Sequence, residues 1–203
     1  MINEQLIARG IDDDAVLEAF RTVPREKFVP QEKREDAYRD GPLPIGEGQT
    51  ISQPYIVASM IQALQPKPED KILEVGIGSG YAAAVLSRVV ESVYGVERYS
   101  SLGQQAEERL REVECTNVEV HIGDGTKGWS KEAPYDGIMV SAAAPGIPDE
   151  LLEQLVVGGC LVIPAGKKQV QQLYQVEKLN DGELKKKELG RVRFVPLVGE
   201  NGW

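Results

Sequence analysis

The chain has 203 residues, 41% hydrophobic and 27% charged, with a formal net charge of −9. That length supports one full hydrophobic core, no run approaches the ~18 uninterrupted apolar residues of a membrane span, and no basic start followed by an apolar stretch marks a secretory leader. The acidic balance disfavours a nucleic-acid partner, which needs a basic face, and two cysteines, Cys115 and Cys160, make no disulfide framework, so cytoplasmic residence is the simplest expectation.

Taken in order, Asp12 or Asp13 is placed to cap a short helix with Val16, Leu17 and Phe20 on one face. The stretch from Asp40 to Pro54 is rich in glycine and proline. It is expected to be a long ordered loop or a set of short edge pieces, held by Leu43, Ile45 and Ile51. A helix is predicted from Pro54 to Leu64, with proline in its first turn. From Pro66 the pattern alternates. Strands are predicted over Lys71 to Val75, Ser92 to Glu97, Val118 to Ile122, Tyr135 to Ala142 and Cys160 to Pro164. Helices are predicted over Gly80 to Val90, Ser100 to Val113 and Pro148 to Leu155. Asn180-Asp181-Gly182, between Gln171 to Leu179 and Leu184 to Pro196, is a hairpin signal, and Lys185-Lys186-Lys187 beside it reads as a solvated strand end.

The expected fold is α/β. It is a Rossmann-like, doubly wound, mostly parallel sheet with an antiparallel C-terminal edge hairpin and an N-terminal helical and loop extension. Residues 1–203 are expected to form a single domain, with 1–65 as the extension and 66–203 as the core.

The central motif is Glu74-Val75-Gly76-Ile77-Gly78-Ser79-Gly80-Tyr81, between a strand and a helix. Glycines there let the backbone turn sharply and approach a ligand, and ligands of open α/β sheets sit beyond the carboxyl ends of the strands. Glu97, ending the next strand, is placed to accept hydrogen bonds from ribose hydroxyls. A dinucleotide fingerprint would need a small residue where Tyr81 stands, which argues against a nicotinamide-dependent dehydrogenase. The run, with acidic Glu74 two residues before the first glycine, resembles motif I of the class I S-adenosylmethionine-dependent methyltransferases. That resemblance implies that Glu74, Gly76, Gly78, Ser79 and Gly80 hold the amino-acid end of S-adenosyl-L-methionine and Glu97 its ribose. It also implies that Asp124-Gly125 meets the adenine; by itself this pair reads as a plain turn. His121, the only histidine, is expected to pack buried or half-buried rather than to catalyse.

Outside that core, Pro42-Leu43-Pro44-Ile45-Gly46-Glu47-Gly48-Gln49-Thr50-Ile51-Ser52-Gln53-Pro54 resembles the signature of the protein-L-isoaspartate O-methyltransferases. Ala133-Pro134-Tyr135-Asp136, Ala142-Ala143-Ala144-Pro145 and Val192-Arg193-Phe194-Val195-Pro196-Leu197 match in order as well. The resemblance implies methyl transfer to the carboxylate of L-isoaspartyl and D-aspartyl residues of damaged proteins, starting repair through a succinimide. It implies Ser52 as the active-site residue and a loop, Gln49, Thr50, Ile51 and Ser52, that closes over the cofactor. Thr50 and Ser52, with the backbone of Val195 and Pro196, are the implied substrate contacts. No metal is expected, and a carboxylate acceptor, ionised at neutral pH, needs no general base. The partners expected are isoaspartyl proteins and peptides, with no nucleic acid or membrane, and the chain is expected to be a monomer. The other readings are a class I methyltransferase for RNA or a small molecule, and a non-catalytic module that binds S-adenosylmethionine.

Overall fold

A computed structural model describes residues 1–180 and 182–203. Asp181, in the expected hairpin turn, lies outside the described residues. The first helix, α1 (Asp14–Thr22), starts where its cap predicts: the Asp13 carboxylate accepts from the Val16 amide at 2.9 Å. Val16, Leu17 and Phe20 are buried on its inner face. Two 3₁₀ stretches, Arg25–Phe28 and Gln31–Asp36, lead to a small antiparallel hairpin of β1 (Leu43–Gly46) and β2 (Gln49–Ile51). The glycine- and proline-rich stretch thus forms short pieces outside the main sheet, as expected where Pro44 cannot donate to a further ladder. The hairpin turn is Glu47-Gly48, both at positive φ (52° and 69°), the twist that joins strands in two residues. Helix α2 (Pro54–Leu64) carries its proline in the first turn, where no amide partner is lost.

The core then alternates. Its elements are β3 (Lys71–Val75), α3 (Tyr81–Leu86), β4 (Ser92–Glu97), α4 (Ser100–Glu112), β5 (Val118–Ile122), β6 (Tyr135–Val140), α5 (Asp149–Glu153), β7 (Leu155–Lys167), β8 (Val170–Lys178) and β9 (Leu184–Val192). They build a seven-stranded sheet in the order β5-β4-β3-β6-β7-β8-β9. The first five strands of that order are parallel; β8 and β9 add antiparallel at one edge. The chain winds outward from β3 in one direction through β4 and β5, and in the other through β6 and β7. The switch point therefore lies between β3 and β6, which is where an open α/β sheet offers a crevice.

Helices lie on both faces, but unequally. One apolar cluster joins Leu6, Phe20, Ile61, Val85, Leu102 and Leu110, drawing α1 to α4 and the N-terminal extension onto one face. The opposite cluster holds Leu73, Val75, Tyr135, Ile138, Leu151 and Leu161 beneath α5 and the C-terminal segment. Adjacent residues Ile72 and Leu73 fall in different clusters, as the twofold alternation of a strand requires.

Several boundaries differ from expectation: β6 ends at Val140, not Ala142, and β9 at Val192, not Pro196, and the largest differences besides are in α3 and β7. Helix α3 stops at Leu86, not Val90, because the amides of Arg88 and Val89 bond the third carbonyl back (3.1 and 2.8 Å) and tighten the last turn. Strand β7 begins at Leu155 and ends at Lys167, well beyond Cys160 to Pro164. Gly158 and Gly159 lie within the strand, and a register shift between the Tyr135 and Gly137 pairings accommodates them. A side chain at Gly159 would stand 2.8 Å from the Asp136 carbonyl, so this glycine permits strand contact instead of ending it.

Candidate active site

The carboxyl ends of β3, β4 and β6 meet the β1–β2 hairpin above the switch point. The backbone leaves β3 through Gly76 (φ 82°) and Gly78 (φ 53°), conformations that cost an L side chain on the order of 1 kcal/mol or more. A Cβ at Gly78 would come 3.3 Å from Ile45 of the hairpin, so the turn and hairpin are in close contact. The Gly78 amide is held by Glu97 at 2.9 Å, and the other oxygen of Glu97 takes the Tyr99 amide at 2.9 Å. Glu97 thus fixes the glycine turn to the end of β4 while lining the hollow beside it.

Two adjoining hollows share Thr50, Gly76, Gly78 and Ser141. The first is walled by Ile51, Ser52, Val57, Met60, Glu74, Ser79, Tyr81 and Met139. The second is walled by Gln49, Glu97, Tyr99, Gly125, Val195, Pro196 and Leu197. Glu74 is 1% exposed. One of its oxygens accepts the Ser141 hydroxyl at 2.8 Å; the other is buried with no protein partner. Its pKa is pushed up to about 8, chiefly by burial and also by the charge of Glu97, with hydrogen bonding to Ser141 and the Ala83 backbone opposing the rise. A buried carboxyl group with one unpartnered oxygen, in a residue that lines a cavity, fits a cationic donor such as the ammonium of an amino acid.

Ser52 sits between this chamber and a third hollow toward β9. Its carbonyl accepts from the Arg25 guanidinium at 2.7 Å, and the same guanidinium bonds the Ala37 carbonyl at 2.7 Å and lies 4.6 Å from the Tyr81 ring centre. The N-cap of α2 falls on Gln53, without a side-chain cap bond, so capping does not claim the Ser52 hydroxyl. Tyr81, too large for a dinucleotide turn, packs edge-on to Phe20 and Phe28 of the extension (centroids 5.9 and 5.6 Å).

Most of the expected site residues therefore meet in one place: Gln49, Thr50, Ile51, Ser52, Glu74, Gly76, Gly78, Ser79, Glu97, Gly125, Val195 and Pro196. Gly80 stands one step back. It is the N-cap of α3 (φ 87°), and a Cβ there would lie 3.3 Å from Ala106 of α4. Asp124 also stands outside these walls. Its carboxylate takes the Thr126 amide and hydroxyl (3.0 and 2.7 Å) and the Glu200 amide (2.9 Å). Burial opposes its ionisation, but those bonds outweigh it and hold the pKa below the usual carboxylate value. Pairing of Ala143 with Val195 and Leu197 (2.8 and 2.7 Å) uses part of the backbone expected to be free for substrate. His121 is exposed and stacked on Trp129 at 4.9 Å, not buried, because β5 is the sheet edge. Sequence reasoning did not single out Ser141 as a site residue. The available signal was its place just past the end of β6, across the switch point from Glu74.

A Rossmann-like sheet with a glycine turn, an acidic residue at the end of the next strand and an orphaned carboxylate at the switch point defines the class of S-adenosylmethionine-dependent methyltransferases. The chain belongs to the protein-L-isoaspartate(D-aspartate) O-methyltransferase family, whose model matches residues 1–202. A protein-L-isoaspartate O-methyltransferase of Pelotomaculum thermopropionicum is 57% identical over all of this chain and 89% of its own length. One from Petrotoga mobilis is 49% identical, covering 100% of this chain and 96% of that one. Among solved structures, a protein-L-isoaspartate O-methyltransferase superposes with a TM-score of 0.88 at 28% identity, over 100% of this chain and 67% of that one. A Plasmodium falciparum structure described as a putative member of the family, in complex with S-adenosyl-L-homocysteine, gives 0.82 at 29%, over 97% and 96%.

Proposed function

We propose that this chain methylates the free carboxylate of L-isoaspartyl and D-aspartyl residues in proteins and peptides, with Ser52 as the group that holds the acceptor. The observation that carries this reading is the single chamber lined by both Ser52 and Glu74, one oxygen of which is buried with no hydrogen-bond partner among the described residues. S-adenosyl-L-methionine supplies a methyl group activated by a sulfonium centre. Glu74, with Ser141 behind it, and the turn of Gly76, Gly78 and Ser79 would hold the amino-acid end of that molecule, and Glu97 its ribose. The Gly125 region would border the base, with Asp124 bracing the C-terminal segment there through Glu200.

The Ser52 hydroxyl donates to one oxygen of the acceptor and leaves the other to attack. No proton needs removing, since a carboxylate of pKa about 4 is ionised at neutral pH. The chain's contribution is alignment and exclusion of water by Ile51, Val57, Met60 and Met139, and orientation of this kind is worth up to roughly 7–11 kcal/mol in good cases. The product is a methyl ester. The next backbone nitrogen attacks it, methanol leaves, and the succinimide hydrolyses in part to normal aspartate.

The extension to residue 65 and the core from 66 to 203 act in this reading as one domain, supported by the apolar cluster that runs from Leu6 to Leu173. No helix among the described residues is long and apolar enough to cross a membrane. Action on proteins and not on nucleic acid accords with the acidic charge, and the reading takes the chain as a cytoplasmic monomer. The test is labelled S-adenosylmethionine with two peptides that differ only in an aspartyl or isoaspartyl linkage. Label should enter the isoaspartyl peptide alone; equal label in both, or none, would overturn the assignment.

A further inference from the structure

The main sheet ends on β9, which among the described residues pairs only with β8. Along and just beyond it, Lys187, Arg191 and Arg193 are exposed. Two hollows meet at this edge. One, of about 370 Å³, runs from Thr50, Ser52 and Ser141 to Arg191 and Arg193. The other, of about 690 Å³, continues between α2 and β9 past Lys187 toward Arg9. They share Ile56, Arg191 and Val192, and so form one groove leading away from Ser52.

The charges of this edge are not all spoken for. Lys185 pairs with Glu177 at 3.2 Å, and Lys186 lies 3.5 Å from the Tyr174 ring centre. Lys187, Arg191 and Arg193 make no side-chain hydrogen bond or ion pair among the described residues. The acidic residues of the groove stand at its far end. Asp13 is committed to capping α1, and Asp12 is exposed. Arg9, also there, is paired with Asp40 at 3.1 Å. Glu188 stands opposite Tyr174, whereas Lys187 stands opposite Gln175.

Charges on an edge strand commonly serve to stop copies of a protein from pairing there. Here they also line the approach to Ser52. The reacting group is an anion that must reach a molecule of net charge −9, and cations beside a cleft raise the local concentration of anionic ligands. We infer that this groove receives, in extended form, the polypeptide flanking the isoaspartyl residue, and that Lys187, Arg191 and Arg193 select segments bearing Asp or Glu beside it. The inference rests on the methyltransferase reading above and adds the class of substrate segment.

The experiment compares three isoaspartyl peptides of one length whose flanking positions carry Glu, Gln or Lys. At low ionic strength kcat/KM should fall in that order, by about five- to tenfold from Glu to Lys, mostly through KM, and the spread should shrink at about 0.5 M salt. Reversing all three charges (Lys187→Glu, Arg191→Glu, Arg193→Glu) should invert the order. Lys131→Glu, beside the opposite end of β6, should leave the order as it is. Equal kcat/KM for the three peptides, or an unchanged order in the triple variant, overturns the inference. Methylation of none of them overturns the activity it rests on, and the inference with it.

Discussion

Glu74 carries the strongest electrostatic signature of the site. Burial holds its pKa near 8 instead of the usual 4.5, so the ligand-free protein keeps it largely protonated at neutral pH. The sign follows from linkage. A carboxyl group whose folded pKa is raised favours the folded state at low pH and loses that contribution as pH rises from about 4.5 through about 8. A cationic partner reverses the preference and draws the proton off. Binding of S-adenosylhomocysteine, which has the same amino-acid end, should therefore release close to one proton per site between about pH 5 and 7, with affinity rising by up to tenfold per pH unit in that window. Calorimetry in buffers of different ionisation enthalpy measures this. Glu74→Gln should abolish the proton release; an unchanged release in that variant would exclude Glu74 as its source. The residue types at this site were legible because Glu74 and Glu97 flank a glycine turn at fixed offsets. Ser141 was not, because a serine at the end of a strand acquires meaning only when folding sets it 2.8 Å from Glu74.

At the scale of elements, the Ser52 arm is held from behind. Arg25, fully buried, ties the 3₁₀ turn before the hairpin to the carbonyls of Ala37 and Ser52, and its charge lies over Tyr81 at the start of α3. Desolvation lowers its pKa, but an arginine starts high enough to stay charged. Replacing it by methionine would keep much of the volume and leave both carbonyls without this donor. Each such loss costs about 1–3 kcal/mol. Arg25→Met should thus lower stability by about 2–4 kcal/mol in denaturant titration and reduce turnover as the arm loosens. A change below about 0.5 kcal/mol would show that the tether contributes nothing. The elements themselves were largely readable. The strands Lys71–Val75, Ser92–Glu97 and Val118–Ile122 and the helix Pro54–Leu64 fall where hydrophobic pattern and proline put them. The ends of α3 and β7 were not, because a tightened turn and a register shift depend on neighbouring strands and leave no local mark. His121 was misjudged for a similar reason: only the strand order shows β5 to be an edge.

For the whole molecule, a net charge of −9 surrounds a site that must accept an anion. The fold meets this with a chamber at the switch point and a cationic edge one strand system away. The N-terminal extension acts as a roof: it packs on Tyr81 through Phe20 and Phe28 and carries the hairpin that closes over the glycine turn. Strand and helix alternation, with the glycine motif, made the Rossmann-like core legible, whereas the roof's position depended on long-range packing that no spacing records. Everything in this mechanism depends on Ser52 and Glu74 facing the two reacting partners within this chamber. A crystal structure with S-adenosylhomocysteine and an isoaspartyl peptide tests it most directly. The isoaspartyl carboxylate should lie within hydrogen-bond distance of the Ser52 hydroxyl, and the ligand's ammonium on the unpartnered oxygen of Glu74. A carboxylate seated elsewhere, with Ser52 turned away from it, would contradict the claim.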